Sequence, residues 1–338
     1  MDLNLIWFIL FMVLISGYAI LDGFDLGVGV LSLFAKGDEE KRIHMNAIGP
    51  VWDGNEVWLL TAGGSLFAAF PPVYATVFSS FYLAFMLLLV ALIFRAVSLE
   101  FRSKVEDPRW RKSWDWAFGL GSFVPALLYG VTVGNIVQGL PLTKDWVFTG
   151  NFLGLLNPYA LLVGLLSLVM FILHGSLYMG MKTEGDLQAR MKSWASRTWI
   201  VFIVLYLITM IATLFAAKHA LAALLGRPLF YLMFLVWCPA LVLIPVFSQA
   251  GRFGKAFVAS CVNIVGVIVM CAVAMFPRMV PASTDLAYSL TIYNASSTPR
   301  TLMVMLIIAG IGMPLVIAYT AFIYVVFKGK VVLTEESY

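Results

Sequence analysis

The sequence predicts an all-α polytopic membrane protein with nine transmembrane helices. Of its 338 residues, 62% are hydrophobic and only 12% are charged. Mean hydropathy is +0.94. Apolar runs of about 20 residues, the length that spans hydrocarbon, recur along the whole chain. They cover about 4–34, 50–70, 73–98, 115–139, 153–180, 195–217, 229–247, 255–276 and 302–327.

The first run follows Met1-Asp2-Leu3-Asn4, which lacks a basic n-region and an A-x-A cleavage site. It is too long for a signal peptide and reads as a retained helix. The second opens at Pro50, a residue suited to a helix's first turn. Pro71-Pro72 separates it from the third, so those neighbours must run antiparallel. A charged stretch through Lys112 separates the third from the fourth, and the fifth and sixth flank a polar segment at 181–198. Gly226-Arg227-Pro228 divides the sixth from the seventh. The longest outside segment, about 277–301, separates the eighth from the ninth. No stretch fits a soluble domain, an internal repeat or a low-complexity tract, so residues 1–338 read as one transmembrane domain.

Charge sets the orientation. Seventeen of the 22 Lys and Arg fall in alternate loops at 35–49, 95–114, 181–198 and 248–255 and in the C-terminal tail. The opposite loops hold Lys144, Lys218, Arg227, Arg278 and Arg300. The positive-inside rule places the N-terminus outside and the C-terminus in the cytoplasm, which needs an odd number of crossings. The formal net charge of +4 has the same origin and does not point to nucleic acid. Cys238, Cys261 and Cys271 all lie in apolar runs, without the spacing of a disulfide framework or a zinc site.

The informative residues are acids at membrane depth, where a carboxylate costs roughly 2.5–3.5 kcal/mol on insertion scales. Asp22 and Asp25 stand three apart in the first run, beside the GxxxG of Gly23 and Gly27. They share a helix face, and Asp25 lies roughly 16 Å from the cytoplasmic end at 1.5 Å per residue. Asp53 and Glu56 repeat that spacing near the cytoplasmic end of the second run. Two readings stand for these acids: a hydrophilic lining for proton movement, or hydrogen-bonded partners in tight crossings and at a helix N-terminus. Arg95 either neutralises Asp53 or Glu56 or snorkels to the headgroups, and Glu100 lies at the same level. Trp58 suits an interfacial belt or packing against a neighbouring helix. Of three histidines only His174 is deep, as a core residue or a single axial ligand, too few for a bis-His haem site. Gly251–Ala256 lacks the spacing of a phosphate loop, and no GxGxxG, HExxH or Ser-His-Asp order appears.

The stretch Asp22-Gly23-Phe24-Asp25-Leu26-Gly27-Val28-Gly29, followed by Trp52-Asp53-Gly54-Asn55-Glu56-Val57-Trp58, resembles subunit II of the cytochrome bd quinol oxidases. So do Arg102-Ser103-Lys104, Trp114-Asp115-Trp116, Gly121–Pro125, Gly134-Asn135, Thr149–Phe152 and Ala274–Pro277, so the resemblance covers the whole chain. It implies nine helices in two four-helix bundles plus one peripheral helix. It also implies a haem-bearing subunit I that ligates two haem b and one haem d, with room for a small single-helix subunit and a bound quinone. The implied complex lies in a bacterial or archaeal plasma membrane, oxidises quinol, reduces oxygen to water and generates proton motive force. In the resemblance Asp53 lines a proton route, Asp25 lies near it, and Trp58 lies by an oxygen route. Glu56 departs from the Gln of several relatives, and the loop between the sixth and seventh helices is short. A proton-coupled transporter and a pure scaffold are the rival readings.

Overall fold

The structure, a computed structural model, describes residues 1–333. Thirteen helices account for most of it. α1 (Leu3–Ser32) is capped by Asp2, whose carboxylate accepts the backbone N–H groups of Asn4 and Leu5 at 3.1 Å. α2 (Gly37–Ile48) is a short polar helix with Asp38, Glu39 and Glu40 in its first turn, where acids complement the helix dipole. α3 (Trp52–Ala69) leads through Phe70 into α4 (Pro71–Ser80), and Phe81 divides α4 from α5 (Tyr82–Phe101). A 3-10 turn precedes α6 (Pro108–Gln138), which starts on an Asp107 cap with Pro108 in its first turn.

The short α7 (Phe152–Leu155) precedes α8 (Pro158–Lys182) and α9 (Gly185–Ala216). α10 (Lys218–Leu225) is an eight-residue link to α11 (Pro228–Gln249) and α12 (Phe253–Met275). A two-stranded antiparallel hairpin, β1 (Arg278–Val280) and β2 (Leu290–Thr291), precedes α13 (Pro299–Val326).

α1 is the hub, in contact with α2, α3, α6, α8, α12 and α13. α6 also packs on α5 and α8, α8 on α9 and α12, and α11 on α12. The α1–α8 crossing is close because both sides are glycine. A Cβ on Gly27 would overlap the carbonyl of Phe171, and one on Gly175 would lie 2.6 Å from the Gly27 carbonyl carbon. Eight helices among the described residues are long and apolar enough to cross a membrane. α3 is not among them, since Asp53, Asn55 and Glu56 lower its hydropathy.

Several boundaries differ from the sequence expectation. The segment 35–49, read as a loop, holds α2; α6 begins at 108 rather than 115, and α9 at 185 rather than 195. Charged residues outside the hydrocarbon do not interrupt a helix, and hydropathy reports only the buried part. The run at 73–98 is two helices broken at Phe81, a break with no Gly or Pro to announce it.

At the cytoplasmic end a network of charges ties α2 to its neighbours. Arg102 bonds Asp38 and Asp115, both at 2.6 Å, Lys41 bonds Asp115 at 2.7 Å, and Arg190 bonds Glu40. Burial alone would raise the Glu40 carboxyl, but Arg190 and the Lys36 backbone N–H hold it below its ordinary range. His44 in the same helix is fully buried; its Nδ1 donates to the Glu40 carbonyl at 2.7 Å, and its Nε2 has no hydrogen-bond partner among the described residues. Burial pushes its pKa down to about 4. The folded state thus binds the proton less well than the unfolded chain, whose His titrates near 6.5. Stability is full above about pH 6.5 and falls towards pH 4, by about 2 kcal/mol at pH 5 from this group alone. His44→Gln is expected to flatten the fall in melting temperature of the purified protein between pH 7 and 5. An unchanged pH slope would oppose this.

Candidate functional site

Tyr18, Asp22 and Asp25 occupy successive turns of α1 on one face. α5 brings Arg95 against that face, and α3 brings Asn55 and Glu56. Arg95 Nη2 donates to Asp22 Oδ1 at 2.8 Å, and Nη1 to Glu56 Oε1 at 2.7 Å. Asp25 Oδ2 lies 4.0 Å from Nη2 and accepts the Asn55 amide Nδ2 at 2.7 Å. The side chains of Arg95, Asp22 and Asp25 are fully buried, whereas that of Glu56 is 24% exposed. Tyr18 donates to Asp22 Oδ2 at 2.7 Å and contacts the Tyr129 hydroxyl of α6. Tyr324 of α13 donates to Asn55 Oδ1 at 3.0 Å.

Three carboxylates therefore share one guanidinium. Fully ionised, the group carries more negative than positive charge inside protein, and it can take up a proton while Arg95 keeps an ionic partner. Asp25 Oδ1 and Arg95 Nε have no hydrogen-bond partner among the described residues.

The predicted residues separate into three groups. Asp22, Asp25, Glu56 and Arg95 come together. Asp53 stands exposed in the first turn of α3, one turn before Glu56, and Arg95 neutralises Glu56 and Asp22 rather than Asp53. Glu100 is exposed on α5, while the hydrogen bonds of Arg95 go to Glu56 and Asp22. Trp58 is half-buried and packs its ring over Gly17 of α1. Asn55, Tyr18, Tyr129 and Tyr324 were not expected. Asn55, between Asp53 and Glu56 in the quoted motif, and Tyr18, four residues before Asp22, carried a sequence signal.

His174 has both ring nitrogens occupied. Nε2 donates to the Ile20 carbonyl at 3.1 Å, so Nδ1 accepts the Ser260 hydroxyl at 2.9 Å. Its ring stacks on Phe257 with centroids 4.3 Å apart. It offers no nitrogen to an iron, and among the described residues no three His, Cys, Asp or Glu gather as metal ligands. His174 therefore serves as a hydrogen-bonded core residue at the α1–α8–α12 contact.

The fold and the site define a multi-pass helical membrane protein with a carboxylate–guanidinium network buried between its spans. The profile of the cytochrome bd terminal oxidase subunit II family matches residues 3–327, and the chain belongs to that family. It is 40% identical to the cytochrome bd-I ubiquinol oxidase subunit 2 of Escherichia coli K12, over 99% of this chain and 96% of that protein. It is 36% identical to the cytochrome bd ubiquinol oxidase subunit 2 of Bacillus subtilis, over 98% and 97% of the two chains. The bd oxidase structure from Geobacillus thermodenitrificans shares the fold, with a TM-score of 0.81 at 17% identity, over 97% of this chain and 99% of that one.

Proposed function

We propose that this chain is the companion subunit of a quinol:oxygen oxidoreductase in a bacterial inner membrane and carries protons inward from the cytoplasm. The observation that carries this reading is the graded exposure along α3 and α1. Asp53 is exposed, Glu56 is partly exposed, and Arg95, Asp22 and Asp25 are buried, with Arg95 bonded to both Glu56 and Asp22. A proton entering at Asp53 passes one helical turn to Glu56. Arg95 then links Glu56 to Asp22 and Asp25 and keeps both carboxylate levels paired while a proton resides on one of them.

In this reading α3 is a ninth crossing, with the N-terminus outside and the C-terminus in the cytoplasm. α1, α3, α4–α5 and α6 form one bundle, α8, α9, α11 and α12 the second, and α13 the peripheral helix. The outward stripe of α3 includes Asp53, Gly54, Val57, Thr61, Gly64 and Phe67. A carboxylate and two glycines make a poor lipid face but a good helix-packing face, so a protein partner covers them. That partner is the haem-bearing subunit I, which holds two haem b and one haem d. A small single-helix subunit and a bound quinone fit the same assembly. Trp58, at the α1–α3 seam, is the proposed border of an oxygen route.

Asp53→Asn is expected to slow quinol-driven oxygen consumption by roughly a hundredfold, with the haem absorbance of the purified complex unchanged. Normal turnover with a normal membrane potential would overturn the relay role. Loss of the haem subunit instead would favour a scaffold.

A further inference from the structure

We propose that a cavity at the cytoplasmic end of this chain binds the phosphate headgroup of an anionic phospholipid. The cavity, about 570 Å3, lies between the end of α2, the end of α8 and the segment after α13. Its lining includes Lys182, Lys328, Lys330, Asn46, Tyr178 and Tyr324 and, among the described residues, no Asp or Glu. Three ammonium groups thus surround one space, and none of them pairs with a carboxylate among the described residues.

Two of these lysines also hold the cavity's shape. Lys182 Nζ donates to the Phe327 carbonyl at 2.7 Å, Lys330 Nζ to the Thr183 carbonyl at 2.6 Å, and the Val331 N–H to the Lys182 carbonyl at 2.9 Å. An ammonium has three N–H donors, so each lysine has two more for phosphate oxygens. The tether explains why the tail lies on α8. It does not explain why, among the described residues, the half-buried Lys182 ammonium meets no carboxylate, an arrangement that burial disfavours.

A lipid, rather than a soluble phosphate compound, follows from what adjoins the rim. Phe322, Val325 and Val326 of α13 expose 61%, 61% and 53% of their surface where the helix meets the cavity. That apolar strip suits acyl chains, while the lysines sit at headgroup level in the leaflet richer in anionic lipid. The choice of leaflet rests on the orientation proposed above; the headgroup site does not. Tyr324 joins the cavity wall to Asn55 and Asp25, so an occupant touches the far end of the buried network.

The test is native mass spectrometry of the intact purified complex, titrated in detergent with phosphatidylglycerol or phosphatidylcholine. Retention of phosphatidylglycerol alone is expected. Lys182→Gln with Lys330→Gln keeps a donor for each carbonyl and should weaken retention roughly 25-fold, about fivefold per lysine. Lys328→Gln, which tethers nothing, should weaken it about fivefold. Equal retention of the two lipids, or unchanged retention in all variants, would overturn the proposal. Displacement of the lipid by inorganic phosphate alone would assign the site to a free anion and overturn the lipid assignment. Retention is read without turnover, so its failure is separable from failure of the proton-path reading.

Discussion

Arg95→Met is expected to deplete the assembled complex from membranes, read as the amount of this chain by immunoblot and the haem absorbance per cell. Among the described residues Arg95 is the one cation bonded to Asp22 and Glu56, and it lies 4.0 Å from Asp25. Removing one partner of a buried ion pair leaves the other charge uncompensated and costs roughly 3–5 kcal/mol. That is a large share of a typical stability of 5–15 kcal/mol. Arg95→Lys should fail nearly as badly. The two aspartate and glutamate bonds leave from different nitrogens of one planar group, and a single ammonium does not reproduce that fork. The control neutralises the acids together. Asp22→Asn with Glu56→Gln in the Arg95→Met background should restore the chain's abundance without restoring turnover. Wild-type abundance of Arg95→Met alone would show that the network contributes little to assembly.

The same network shows how far the sequence reveals the site. The two acid pairs stood out because apolar runs make any carboxylate conspicuous, and Arg95 stood out as the lone cation inside the third run. Their spacing of three predicts a shared face, and the structure places Asp22 and Asp25 on one. It does not predict that Asp53 and Glu56, with equal spacing, would differ in burial. That difference depends on which side of α3 meets α1, which is set by contacts with α1 and α13 rather than by α3 itself. Tyr129 and Tyr324 were illegible for a related reason. They reach Tyr18 and Asn55 across 111 and 269 residues of sequence, and an aromatic in an apolar helix carries no mark of its hydrogen-bond partner.

The fold was legible where lipid imposes a rule and obscure where it does not. Apolar length reveals eight spans. α3 is not among them, because its acids take it below the hydropathy of a free-standing span, and its place as a ninth crossing rests on the topology proposed above. α2 was hidden because an amphipathic helix of twelve residues buries only His44, Met45, Ala47 and Ile48. The bland reading of His174 was correct: Ser260 and Ile20 satisfy it.

Gly27→Ala is expected to damage both assembly and turnover, although it adds one methyl group far from any titrating atom. The new Cβ would meet the main-chain carbonyl of Phe171, and a backbone atom cannot rotate away as a side chain can. α1 and α8 would have to part, which strains well-packed neighbours by about 1–3 kcal/mol. Parting also moves Asp25, two residues away on α1, against Asn55 on α3, where a 2.7 Å bond has little tolerance. Gly310→Ala is the matched control. It is the same change on α13, where the added Cβ meets nothing within 4 Å, and alanine is the better helix former. Thermal melts and oxygen consumption of the two complexes should therefore diverge. If Gly27→Ala matched wild type in both, the close α1–α8 crossing would not be what positions the aspartates.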